Sequence, residues 1–325
     1  MVSDYFPSST IRACVFDTHR MVSDDGPGMR TTLFLKGCPL NCFWCHNPES
    51  ISVKPEVWNV AKKCIGCNEC LKVCSMKAVR RTNSGLSINR QLCNACGECV
   101  EHCPANSMQL VGTEWSVEEA FNYLIRDKAF YERSGGGVTI SGGEPTMHSR
   151  FVGLLFERLK HAGIHTALDT CGLAKQSAYE QLLPYTDLLL WDIKTIDDGD
   201  HKKYTSRSNK KIIENLFFVA EYIRSNPNTR LWIRTPLVPG ATATNNNLLS
   251  IAKFINENLS DVVSRWDLCL FNNTCEPKYS RLNIDWQLAG HSLISDQQLH
   301  KFKRLIEQIP SLSGKTHFSG LLRKG

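Results

Sequence analysis

The chain has 325 residues, 42% of them hydrophobic and 22% charged, proportions that fit a globular protein and exclude a disordered or fibrous one. Its net charge of +6 comes from basic residues scattered along the chain, with no basic stripe and no nucleic-acid recognition motif, so no nucleic-acid partner is expected. No apolar run approaches the roughly 18 residues that span a bilayer. Residues 1–10 lack a basic cluster followed by an apolar stretch, so the sequence predicts no membrane association, no secretion and a cytoplasmic location.

Cysteine sets the sequence apart. There are 15, eight of them within residues 64–103 and three more within residues 38–45. Disulfide frameworks belong to small secreted domains, whereas this many thiols in a reducing compartment point to metal ligation.

Taken in chain order, short apolar runs alternate with amphipathic segments, the pattern of repeated βα units. A strand is expected at residues 31–36, followed by a cysteine-bearing loop. The window 61–111 has almost no helical or strand period and reads as an inserted small domain. A helix at 116–128 follows, with Ser116 and Glu119 placed as a capping box. Then strands at 138–141, 165–169, 188–194, 231–236 and 267–271 alternate with helices at 151–162, 178–183, 212–224 and 247–258, and a last helix falls at 296–308. Such alternation predicts a parallel sheet covered by its crossovers. Six units are fewer than a closed eight-unit barrel needs. The expected fold class is therefore α/β, an open partial (β/α)6 barrel of residues 1–60 and 112–325 with an inserted ferredoxin-like domain at 61–111; a doubly wound sheet is the alternative. In both, chemistry belongs at the carboxyl ends of the strands.

Just after the first strand, Cys38, Cys42 and Cys45 form a C-x3-C-x2-C loop with Trp44 before the third thiol. Three thiolates can hold three irons of a 4Fe–4S cubane and leave the fourth iron open to a ligand, as catalytic zinc sites keep one position open. A structural zinc loop is the competing reading. In the inserted window, Cys64, Cys67, Cys70 and Cys74 are followed by Cys93, Cys96, Cys99 and Cys103 in the same C-x2-C-x2-C-x3-C spacing. This is the bacterial ferredoxin run, whose fourth cysteine serves the other cluster. One 4Fe–4S cluster is expected on Cys64, Cys67, Cys70 and Cys103, and another on Cys93, Cys96, Cys99 and Cys74. With full thiolate coordination, these two suit electron transfer.

The cysteine loop resembles the signature of the radical S-adenosylmethionine superfamily, and Gly142-Gly143-Glu144 after the second strand resembles its GGE motif. Further motifs are similar to those of the glycyl radical enzyme activating enzymes: Asp25-Gly26-Pro27-Gly28-Met29-Arg30, Asp169-Thr170-Cys171-Gly172, Asp192-Ile193-Lys194, and Arg234 with Val238-Pro239-Gly240. The resemblance implies reductive cleavage of S-adenosylmethionine to a 5′-deoxyadenosyl radical that takes an α-hydrogen from a glycine of a partner glycyl radical enzyme. It implies three 4Fe–4S clusters, the cofactor amino group at Gly142, Gly143 and Glu144, and the carboxylate and ribose at Lys194 and Arg234. Asp169, Thr170 and Asp192 would hold a monovalent cation. Trp44 is expected to pack on the adenine side or, alternatively, in the core.

One element departs from the family pattern. Counting back from Lys278-Tyr279, Asn272 stands where many such enzymes have a cofactor-reaching histidine, and it keeps a neutral hydrogen-bonding tip that cannot titrate. Asp25 is expected to contact the partner's peptide at the mouth of the open barrel. The ferredoxin-type insert resembles activators of dehydratases, lyases and decarboxylases, and implies a low-potential donor such as flavodoxin or ferredoxin. The rival readings are a radical enzyme acting on a small molecule or peptide, and an electron carrier; the open-iron loop and the GGE motif argue against the carrier.

Overall fold

The computed structural model describes residues 11–83 and 85–320. Its strands in chain order are β1 (Arg12–Val22), β2 (Arg30–Leu35), β3 (Glu56–Asn59), β4 (Val79–Thr82), β5 (Gly85–Ile88), β6 (Met108–Val111), β7 (Thr113–Ser116), β8 (Gly137–Gly142), β9 (His165–Thr170), β10 (Leu188–Asp192), β11 (Arg230–Leu237), β12 (Val263–Leu270) and β13 (Thr316–Ser319). Nine of them form one sheet in the order β13-β12-β11-β10-β9-β8-β2-β1-β7. The six strands expected from periodicity are β2 and β8 to β12, and they lie side by side, all parallel. β13 extends the parallel run, while β1 and β7 close the other edge antiparallel. Among the described residues the two edges do not pair, so the barrel is open. No helix of the described residues is long and apolar enough to cross a membrane.

Strand residues alternate between two environments. Leu33, Ile140, Leu168, Trp191, Ile233 and Leu268 face the helices in one continuous core. On the opposite, inner face, Ala167, Leu188, Leu190 and Trp232 form a small apolar plug. Two residues further along the same strands stand Asp169, Asp192 and Arg234, so the inner face turns polar where the strands end. The helix starting at Val117 carries the expected capping box: the Ser116 hydroxyl accepts from the Glu119 amide and the Glu119 carboxylate accepts from the Ser116 amide. That helix is shorter than expected, ending at Leu124 before a second helix at Lys128–Ser134.

The turn before β2 is built on close backbone contact. Gly28 has φ +66°, and a Cβ there would lie 2.4 Å from the Gly136 nitrogen; a Cβ on Gly136 would lie 1.8 Å from the Met29 carbonyl oxygen. The fully buried Arg30 guanidinium donates to Thr139 Oγ1 at 2.7 Å, the Val138 carbonyl at 2.6 Å and the Pro27 carbonyl at 3.2 Å. These bonds satisfy the charged group without a carboxylate at hydrogen-bond distance, and they tie the turn to β8.

The cysteine-rich segment is stemmed by an antiparallel pair, β3 with β6, and carries a hairpin, β4 with β5. Its elements are short because the residues between thiols are too few for longer ones. The 29-residue sequence repeat is also a backbone repeat: Asn68 and Gly97 both have positive φ before the four-residue helices Glu69–Lys72 and Glu98–Glu101, and Lys77 and Asn106 have positive φ after Cys74 and Cys103.

Gly136→Ala forces a methyl group into the Met29 carbonyl, and overpacking of this kind costs about 3 kcal/mol. We expect urea unfolding to show that loss. An unchanged midpoint would mean that the turn before β2 shifts freely and does not anchor the strand.

Candidate active site

The loop after β2 carries Cys38, Cys42 and Cys45, and its path is set by four neighbours. Gly143 N–H donates to the Leu35 carbonyl at 2.8 Å, and Glu144 N–H to the Gly37 carbonyl at 2.7 Å. A Cβ on Gly143 would sit 2.1 Å from the Gly37 oxygen, so glycine is required where the two loops touch. On the second side, Gly37 N–H donates to the Ser50 carbonyl and Cys38 N–H to the Ile51 carbonyl. On the third, Asn41 N–H and Phe43 N–H donate to the carbonyls of Thr205 and Tyr204. Finally, Tyr279 Oη donates to the Cys45 carbonyl at 2.8 Å, Trp286 Nε1 to the Phe43 carbonyl at 3.0 Å, and Lys278 Nζ contacts Asn47 at 2.8 Å and Glu49 at 2.6 Å. Lys278 and Tyr279, which entered the sequence reading only as a counting mark, clasp the cysteine loop from outside.

All three thiols line one cavity of about 280 Å³ at the carboxyl ends of the strands. Trp44, Gly142, Gly143, Asp169, Thr170, Asp192, Lys194 and Arg234 line it too. Trp44 is at once cavity wall and core, packed with Val238, Phe271, Tyr279 and Trp286. Sequence reasoning missed His46 and Cys171 in the same wall. The signal for His46 was its position directly after Cys45; its ring is held by the Asn272 backbone, and burial pulls its pKa down.

Three expected contacts are arranged differently. Glu144 is fully buried and absent from the cavity wall: Oε1 accepts from Thr146 N–H, Thr146 Oγ1 and Thr170 Oγ1, and Oε2 accepts from Cys171 N–H at 2.7 Å. In this arrangement it braces the loops after β8 and β9. Asn272 also lies outside the wall, its Oδ1 spent on Thr274 N–H and Oγ1 in a local turn, while its neighbour Phe271 faces the cavity. Asp25 is turned inward. Its Oδ2 accepts from Thr32 Oγ1 at 2.8 Å, and Oδ1 lies 3.6 Å from the Arg234 guanidinium inside the barrel.

The charges form two pairs and a surplus. Lys194 Nζ is 2.5 Å from Asp192, and Arg234 is 3.4 Å from Asp169. Burial works against the Lys194 charge, but Asp192 and the nearby thiols outweigh it and hold the pKa above the ordinary lysine value. Burial pushes the Asp169 carboxyl up to about 6 despite Arg234, with Asp192 and Asp25 adding to the rise. The three carboxylates Asp25, Asp169 and Asp192 face two cations, leaving one negative charge in excess. Of the residues expected to seat a cation, Asp169 and Asp192 each hold a basic side chain and the Thr170 hydroxyl donates to Glu144.

The thiols fit a cluster. Burial raises Cys42 to about 12 and Cys45 further, whereas a hydrogen bond from Cys171 lowers Cys38. Binding a metal would release the protons of these buried thiols, since the metal is held by thiolates. No three His, Cys, Asp or Glu among the described residues are gathered closely enough to hold a single ion; in a cubane each thiolate takes a separate iron, so wider spacing suits it. In the insert, Cys64, Cys67, Cys70 and Cys103 line one small cavity, and Cys74, Cys93, Cys96 and Cys99 another. These are the two interleaved sets expected from the spacing. The fourth thiol of each run accepts an amide from four residues on, Ala78 to Cys74 and Ser107 to Cys103.

Residues 93–249 match the Radical SAM superfamily, and residues 56–118 match a 4Fe–4S dicluster domain. The chain is 40% identical to the isethionate sulfite-lyase activating enzyme of Oleidesulfovibrio alaskensis, over 90% of this chain and 94% of that one. It is 38% identical to the (2S)-3-sulfopropanediol dehydratase activating enzyme of Klebsiella oxytoca (85% and 87% covered) and 36% identical to the trans-4-hydroxy-L-proline dehydratase activating enzyme of Clostridioides difficile (87% and 92% covered). Among solved structures, a radical SAM methyltransferase from Sphaerobacter thermophilus has a TM-score of 0.52 over 94% of this chain and 76% of that one at 12% identity, a likeness of fold alone. With its open barrel, three-thiol cavity and two-set insert, the chain belongs to the radical S-adenosylmethionine glycyl radical enzyme activating enzymes that carry a ferredoxin-type dicluster domain.

Proposed function

We propose that Cys38, Cys42 and Cys45 hold the catalytic 4Fe–4S cluster, and that the rest of the cavity seats S-adenosylmethionine against its open iron. The observation that carries this reading is the meeting of three thiols from one loop with Lys194, Arg234 and Asp169 from three different strand ends in a single cavity. When bound, the reduced cluster and the cofactor supply a carbon-centred radical that removes an α-hydrogen from a glycine of the partner enzyme. The partner is a glycyl radical lyase, dehydratase or decarboxylase, the classes named for the similar activators.

The chain's own residues bind, orient and exclude water. Lys194 and Arg234 present positive charge to the cofactor carboxylate. The excess negative charge suits a ligand bearing a sulfonium and an ammonium. With the Glu144 side chain engaged, the backbone of Gly142 and Gly143 is left to receive the amino group. Trp44, Leu40, Val238 and Phe271 make the apolar part of the wall and keep water from the reacting atoms. Asp25 acts through Arg234 as a positioning residue. The insert, whose β3–β6 stem begins at Glu56 and not at the expected residue 61, holds two further clusters on the interleaved cysteine sets, reduced in turn by a low-potential carrier.

Replacing Cys38, Cys42 and Cys45 together by Ala should abolish S-adenosylmethionine cleavage and lower bound iron from about twelve to about eight atoms per chain by cubane stoichiometry. Cleavage that survives the triple substitution would sink the assignment. For Asp25→Asn, uncoupled cofactor cleavage and glycyl radical formation on the partner should fall by the same factor, since both need Arg234 in place. A selective loss of radical transfer would instead restore the peptide-contact role for Asp25.

A further inference from the structure

The two cysteine sets of the insert occupy unequal positions. Cys93, Asn94 and Ala95 share a cleft with residues 52–57, and that segment continues directly from Ile51, whose carbonyl accepts from Cys38 N–H. Arg90, three residues before Cys93, donates to the Leu282 carbonyl of the barrel and to Glu56. The set of Cys74, Cys93, Cys96 and Cys99 therefore lies against the barrel, on the side of the catalytic loop. The cavity of Cys64, Cys67, Cys70 and Cys103, lined by Arg81, Leu86 and Met108, includes neither Val57 nor residues 93–95, which meet the 52–57 segment, and is the outer one.

Charge separates the halves further. Residues 61–81 carry Lys62, Lys63, Lys72, Lys77, Arg80 and Arg81 against the single acid Glu69, whereas residues 89–106 carry Glu98 and Glu101 against Arg90 alone. The halves share one backbone repeat, and a demand for solvation alone gives no reason for them to differ in sign. At the outer set Lys62 and Lys63 are exposed beside Cys64, Cys67 is exposed, Arg81 stands at the cavity rim, and Ile65 is 69% exposed between the first two thiols. An apolar tip in a predominantly basic surround over a redox centre suits docking of an oppositely charged protein.

We propose that the outer, basic lobe around Cys64 and Cys67 is the electron-entry face, and that it docks an acidic one-electron carrier protein of the flavodoxin type. This rests on the reading that the insert holds two 4Fe–4S clusters. The carrier gives up one electron and is oxidised by one unit. Held on these cysteine sets, the clusters would relay that one electron, the outer set taking it up and the inner set handing it on to the cluster that Cys38, Cys42 and Cys45 would hold.

The test uses the cluster-loaded full chain with Lys62→Glu and Lys63→Glu together, reduced by photoreduced flavodoxin in one arm and by dithionite in the other. With flavodoxin at about 50 mM salt, stopped-flow should show the second-order rate falling about ten-fold, with the gap to wild type closing near 0.5 M salt, as a screened steering interaction requires. Cofactor cleavage driven by dithionite should be unchanged, and Glu98→Lys with Glu101→Lys should not slow flavodoxin. An undiminished flavodoxin rate in the Lys62/Lys63 variant, or an equal loss in the Glu98/Glu101 variant, overturns the entry face. Should the charge reversal lower cluster content, Lys62→Gln with Lys63→Gln gives the same comparison with a smaller expected loss, and no loss there overturns the proposal too. Absence of cofactor cleavage by wild type with dithionite would refute the functional reading itself, a result distinct from failure of the docking face.

Discussion

The contact on which this active site depends is between two stretches of backbone. The loop after β2 and the loop after β8 touch at Gly37 and Gly143, with amides of Gly143 and Glu144 donating to carbonyls of Leu35 and Gly37. A loop carrying three thiols has little regular structure of its own, so its amides and carbonyls need outside partners. The partners come from β8, from residues 50–51, from residues 204–205 and from the segment around Tyr279. With a side chain at residue 143 the loops could not approach, and the thiols would not face the strand ends.

Charge is arranged around that scaffold with little tolerance. Arg234 stands between Asp25 and Asp169, and Lys194 against Asp192, in a site where burial alone would neutralise several of these groups. Mutual pairing keeps the cations charged, and the unpaired negative charge leaves the site suited to a positively charged ligand. The carboxylates fix where the two basic side chains stand. Glu144 works in the same way, tying Thr146, Thr170 and Cys171 into one rigid floor.

The insert solves a different problem. Eight thiols within residues 64–103 leave few apolar side chains for a core, and Val57, Val79, Ile88 and Met108 pack directly with Cys70 and Cys99. Two copies of one short backbone pattern face each other, so each run completes the other's set of four. The β3–β6 stem and Arg90 then hold this unit against the barrel.

Much of this was legible in the sequence because the signals are local. Thiol spacing reports which cysteines a single loop can present, and short continuous apolar runs report strands buried on both faces, so the cysteine sets and the six central strands follow from residues close together in the chain. The strands β1, β7 and β13 were not legible, since β7 and β13 are edges with no second neighbour to enforce the apolar pattern, and β1, paired with β7 only over Arg12–Val15, carries exposed residues along the rest of its length. Nor could motif identity say which way a side chain turns. Glu144 and Asn272 sit in the expected segments but spend their polar atoms on neighbours, and Asp25 meets Arg234 from the far end of the chain. The clasp of Tyr279 on Cys45 joins residues 234 positions apart. Such contacts exist only once the strands are laid side by side, because what decides them is the competition among hydrogen-bonding partners that tertiary structure brings within reach.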